Sequence, residues 1–131
     1  MKKTDILKAV SEMESSAFRV GQVVRRLLAE EPALARSMNG IRTSVFHDSA
    51  RIDVDLDSLD GVRVWAAEAG VEPVNRFHQY PHGTGYESLR AVGEADGVEM
   101  QVLAVKLYLS VEDWEARLAE AAPPEVTGRA A

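Results

Sequence analysis

The sequence predicts an α+β domain: a mostly antiparallel five-stranded sheet with helices packed on one face, in the order α-β-β-α-β-β-β-α. Three observations carry this expectation. Residues 5–30 repeat apolar side chains at helical spacing, residues 50–56 alternate apolar and acidic, and Asp96-Gly97 separates two strand-like runs. An Asp-Gly pair in that setting is the strongest short-range hairpin signal. Strands joined by hairpins, with helices long enough to cover one side, are the pattern of an α+β sandwich.

In the first element Ile6, Val10, Met13, Ala17, Val20, Val24 and Leu27 are spaced 4, 3, 4, 3, 4, 3, a heptad pattern held for three repeats. Thr4 is the expected N-cap. Glu12 and Glu30 follow Lys8 and Arg26 by four residues, so the outer face pairs its own charges. Ser15 and Ser16 weaken the middle, which leaves a break into two helices open. Pro32 suits the first turn of a short second helix, which Asn39-Gly40 is expected to close.

Two strands, 41–47 and 50–56, flank Asp48-Ser49 as a hairpin. In the second, Ile52, Val54 and Leu56 point one way and Asp53, Asp55 and Asp57 the other. Asp57 or Ser58 caps a helix in which Leu59, Val62, Ala66 and Ala69 share a face, and Gly70 ends it. The passage through residues 50–80 is a β-α-β step of the kind that crosses over right-handedly. Strands follow at 74–80, 86–94 and 98–109. The last alternates and then turns apolar on both faces, the mark of a central strand. Ser110 caps a final helix, with Asp113 at the capping-box position and Trp114 and Leu118 facing inward. The expected organisation is one domain over 1–122 and a flexible tail over 123–131.

A chain of 131 residues with 46% hydrophobic and 27% charged residues has the balance of a folded globular domain. The absence of cysteine excludes disulfides, thiolate nucleophiles, iron–sulfur clusters and cysteine-ligated zinc. The beginning, MKKTDILKAV, interrupts its apolar run with Asp5 and Lys8, unlike a signal peptide, and no stretch approaches the ~20 apolar residues of a membrane span. A cytoplasmic protein without a membrane partner is expected. The formal net charge of −6 disfavours broad phosphate binding.

The stretch FHQYPHGTGY, residues 77–86, looks most like a site. His78 and His82 would share a helix face, but Pro81, Gly83 and Gly85 forbid a helix, and an extended chain sets them ~13 Å apart. No carboxylate within it completes a metal shell, so a hairpin bend is the better reading and no metal is expected. GTG lacks the helix a phosphate loop requires. His47-Asp48-Ser49 are neighbours whose side chains diverge, unlike a hydrolase triad. Residues 53–61 fail as a calcium loop, with Ser58 where glycine is needed and Val64 where the acid is needed.

Arg19, Arg25 and Arg26 form a small basic group on the first helix, where Glu12 and Glu30 share the outer face with Arg19 and Arg26. The apolar arc of that helix is wider than one packing contact needs, because Leu7, Phe18, Val23 and Leu28 lie beside the stripe. The sequence thus points to a non-enzymatic protein-binding domain, adaptor-, chaperone- or inhibitor-like, with no cofactor. It is expected to dimerise through Val20, Val23, Val24, Leu27 and Leu28. A nucleic-acid regulator contacting through the first helices is the alternative, and a histidine-based metal enzyme centred on His47, His78 and His82 ranks third.

Overall fold

The computed structural model describes residues 2–121, so the tail at 123–131 lies outside the described residues. The elements are α1 (Lys3–Glu30), α2 (Pro32–Ser37), β1 (Met38–Val45), β2 (Ala50–Leu56), α3 (Leu59–Ala69), β3 (Val74–Gln79), β4 (Gly85–Ala95), β5 (Val98–Tyr108) and α4 (Val111–Ala121). The α+β class and the element order are those predicted. The five-stranded sheet runs β1-β2-β5-β4-β3 and is mixed. Every neighbouring pair is antiparallel except β2 and β5, which run parallel with Val54 opposite Val102.

The local signals explain most boundaries. Ser58 caps α3 by accepting a hydrogen bond from the Gly61 amide at 3.1 Å, and Gly70 closes it in the left-handed conformation at φ +71°. Ser110 accepts from the Asp113 amide at 3.1 Å and so starts α4. Asp96 and Gly97 both adopt positive φ, +50° and +79°, as a two-residue hairpin turn demands.

Three local expectations shift, and the open question of a break in the first helix is answered. The first helix is continuous from Lys3 to Glu30, and the Ser16 hydroxyl donates to the His47 carbonyl at 3.3 Å, tying the middle of α1 to the β1–β2 hairpin. It also begins at Lys3 with no side-chain cap, so Thr4 lies inside it. Asn39-Gly40 do not end α2; they belong to β1, which starts at Met38 and absorbs them in a register irregularity. The first hairpin turns on His47-Asp48, with Phe46 and Ser49 exchanging backbone hydrogen bonds at 2.9 and 3.2 Å.

All four helices lie on one face of the sheet. Ile52 and Val54 of β2, Met100 and Val102 of β5, and Leu89 and Ala91 of β4 are buried there. Val20, Val23 and Leu27 of α1, Leu34 of α2, and Val62 and Trp65 of α3 cover them. Each such buried Val, Leu, Ile or Met side chain contributes about 1.5–3 kcal/mol. Chain passage through α3 leaves β5 and β4 between β2 and β3. A second, smaller core forms where Trp114 and Leu118 of α4 meet Phe77 of β3.

Candidate functional surfaces

Three features stand out from the packed core: the outer side of α1, a buried ion-pair cluster under α4, and the helix-free face of the sheet.

At 28 residues α1 is about 42 Å long, and its buried residues are Ser16, Val20, Val23 and Leu27. None of the apolar side chains from Ile6 to Phe18 joins either core. At about 100° per residue, the buried set points roughly 80° away from the line through Ile6, Val10, Met13, Ala17, Val24 and Leu28. The helix therefore carries two apolar faces. The five residues that the sequence assigned to a partner seam divide between them. Val20, Val23 and Leu27 cover the chain's own sheet, with Val23 at 0% exposure. Val24 is half-buried at the boundary, packed against the same core, and Leu28 is 54% exposed. The correction has a simple cause: the heptad line drifts across an α-helix of 3.6 residues per turn, so its C-terminal half rotates into the core.

The basic group on α1 is largely engaged. Arg19 reaches the Ser16 hydroxyl at 3.1 Å and the Asp48 carbonyl at 3.3 Å. Arg26 pairs with Asp96 and lies 3.9 Å from Glu30. Likewise the acidic side of β2 is neutralised within the sheet, as Asp53 meets Arg51 at 2.9 Å and Asp55 meets Arg42 at 3.1 Å. His47, Asp48 and Ser49 are exposed turn residues.

Under α4, Glu87 is 1% exposed and all its bonds are met by neighbours. Its Oε1 accepts from the Tyr108 hydroxyl at 2.6 Å and Arg117 Nε at 2.7 Å; its Oε2 accepts from Arg117 Nη2 at 3.0 Å and Asn75 Nδ2 at 3.2 Å. Burial pushes the Glu87 carboxyl up, but the hydrogen bonds from Arg117, Tyr108 and Asn75 outweigh it and hold it below the usual range. Burial, and the bond to Glu87, push the Tyr108 phenol up to about 12. Trp114 Nε1 donates to Gln79 Oε1 at 2.9 Å beside this cluster. The arrangement is a saturated clamp that fixes α4 to the sheet. Between α2 and α3 lies a separate cleft of about 470 Å³ over Leu34 and Trp65. Glu31 on its rim is raised by burial and then by Glu68.

The face of the sheet opposite the helices has no covering element among the described residues. Leu103 on β5 is half-buried there, while Val105 and Leu107 are 51% and 59% exposed. At the β3–β4 end the residues of the expected bend gather into one aromatic group. Tyr80 stacks on His82 with ring centroids 5.3 Å apart and meets His78 edge-on at 5.5 Å. Tyr86 lies 5.1 Å from His78 and 5.7 Å from Tyr80. Tyr80 thus contacts both imidazoles. Among the described residues no three His, Asp or Glu side chains converge as a metal shell. The bend reading locates the loop, and the ring cluster is what sequence alone missed. The signal available for it was the placement of residues 78, 80 and 86 on one side of a hairpin.

No helix among the described residues is long and apolar enough to cross a membrane. No protein-family model, curated protein or solved structure matches this chain.

Proposed function

We propose that this chain is a non-enzymatic, cytoplasmic protein-binding domain that works as a homodimer joined through the outer face of α1. The observation that carries the reading is the second apolar stripe of that helix, of which only Val24 packs against the domain's own core while Ile6, Val10, Met13 and Leu28 stay exposed. A heptad stripe on one helix calls for a partner helix, and an isolated stretch as short as its first half is marginal in water.

The stripe is self-complementary in an antiparallel pairing about Ala17. Ile6 then faces Leu28 of the second copy, Val10 faces Val24, and Met13 lies over Gly21. Ala17 meets its own equivalent at the two-fold, where a small side chain lets the helices approach. Lys3 falls opposite Glu31, an attractive pair. Lys8 falls opposite Arg26, whose charge is already met by Asp96 and Glu30. A closed two-fold contact of this type makes each pairing twice.

Sedimentation of the parent, Val10→Asp, Leu28→Asp and Val23→Asp tests the reading. Val10→Asp and Leu28→Asp place a charge on the outer stripe and are expected to give folded monomers with parental circular dichroism. Val23→Asp buries an unpaired carboxylate in the core and is expected to unfold the chain. A parent that sediments as a monomer at every accessible concentration refutes the dimer.

A further inference from the structure

We infer that the open face of the sheet, at its β3–β4 end, docks an acidic protein segment bearing aliphatic or aromatic side chains. This inference rests on the protein-binding reading above but uses a different surface. Two observations support it. First, β5 is a central strand, and its outward Leu103, Val105 and Leu107 form an apolar strip that no helix covers. The strip adjoins the ring cluster directly, since Leu107 is opposite Tyr86 and Tyr86 is opposite His78. Apolar surface of this kind on a sheet marks an interaction site, and tyrosine with arginine is the pairing enriched at protein interfaces.

Second, the charge of this region opposes that of the whole chain. From Val74 to Val92 the sequence has a single carboxylate, Glu87, and that one is buried on the helix side against Arg117. Arg76 and Arg90 share the open face, and neither has a carboxylate partner among the described residues. On its β3–β4 side the open face therefore presents Arg76 and Arg90 beside the rings and Leu107, while on its β2 side Asp53 and Asp55 are paired with Arg51 and Arg42 and Asp57 flanks Val105.

That charge selects among occupants. A second copy docked face to face with its two-fold axis at this end would bring the Arg76 and Arg90 side chains close to those of the other copy, which repel. A nucleic-acid strand would match the rings and arginines, but it gains nothing from an aliphatic strip and meets the repulsion of an acidic protein. An acidic segment with apolar side chains satisfies both halves of the surface.

Selection from a random dodecapeptide library displayed on phage, against the immobilised full chain, tests the inference. Peptides enriched in Asp or Glu beside Leu, Phe or Tyr are expected. By fluorescence polarisation they should bind Leu107→Asp and the Arg76→Glu/Arg90→Glu double variant at least about tenfold more weakly than the parent. Arg76, Arg90 and Leu107 are exposed, so both variants should keep the parental circular dichroism. The monomeric Val10→Asp variant should select the same peptides, which separates failure here from failure of the dimer. No enrichment, enrichment without acidic residues, or affinities indifferent to both variants would overturn the inference. So would oligothymidine binding tighter than every selected peptide, which would reassign the surface to nucleic acid.

Discussion

Replacing Glu87 with Gln should release α4 from the sheet while leaving the main core folded. The substitution conserves volume but leaves one acceptor oxygen where the carboxylate has two. The new amide group must face donors from either Tyr108 and Arg117 Nε or Arg117 Nη2 and Asn75. Removing one partner of a buried ion pair costs about 3–5 kcal/mol. Here the Arg117 side chain keeps 19% exposure and lies 3.9 Å from Glu120, so water and that carboxylate offset part of the loss. A destabilisation of about 2–4 kcal/mol remains. It should be local, because α4 is held by its own small cluster of Phe77, Trp114 and Leu118.

The two tryptophans report the two cores separately. Trp65 lies in the main core and Trp114 under α4. In a Trp65→Phe background, urea unfolding followed by Trp114 fluorescence measures the clamp, and amide exchange across α3 and α4 shows which part opens. The parent should also carry a pH signature. Because the Glu87 carboxyl is depressed, its contribution is present above the ordinary value of 4.5 and lost as pH falls through its lower folded value. Because the Tyr108 phenol is raised, its contribution is present below the ordinary value of 10.0 and lost as pH rises towards about 12. Glu87→Gln should remove that acid-side contribution and lower the phenolate titration, with burial still holding it above 10.0. A loss under about 1 kcal/mol, or equal loss of protection in α3 and α4, would refute the clamp.

Two further substitutions probe backbone positions. A Cβ at Gly85 would lie 2.6 Å from the Trp114 ring and collide with the His78 carbonyl. Gly85→Ala should therefore cost about 1–3 kcal/mol or more in chemical denaturation and quench the Trp114 signal; a parental melting curve would contradict that packing. Gly97 has open space around it but sits at φ +79°, so Gly97→Val should cost about 1–3 kcal/mol through backbone strain alone. A melting temperature within a degree or so of the parent would show that the turn relaxes.

What the sequence determined by itself is the set of elements whose free energy is local. Alternation in residues 50–56 placed β2 because side chains of a strand must face in turn. Ser58, Gly70, Asp96-Gly97 and Ser110 marked their boundaries because a cap or a positive φ is decided within four residues. The surplus of apolar residues on the first helix was legible too, as was the bend between strands 74–80 and 86–94, which the structure places one residue earlier, at 80–84. Tertiary structure decided the rest. Whether Val23 or Leu28 faced the sheet depended on where a continuous α1 crosses it, and Ser16 meets the His47 carbonyl of another element there, a contact that local spacing does not show. The parallel pairing of β2 with β5, which makes the sheet mixed, joins residues about fifty positions apart whose apolar patterns fit several partners equally well. The aromatic cluster and the cationic side of the open face appeared only once all four helices had packed on the other side. Sequence spacing states which residues share a strand face, but solvent exposure of that face follows from where the remaining chain lies.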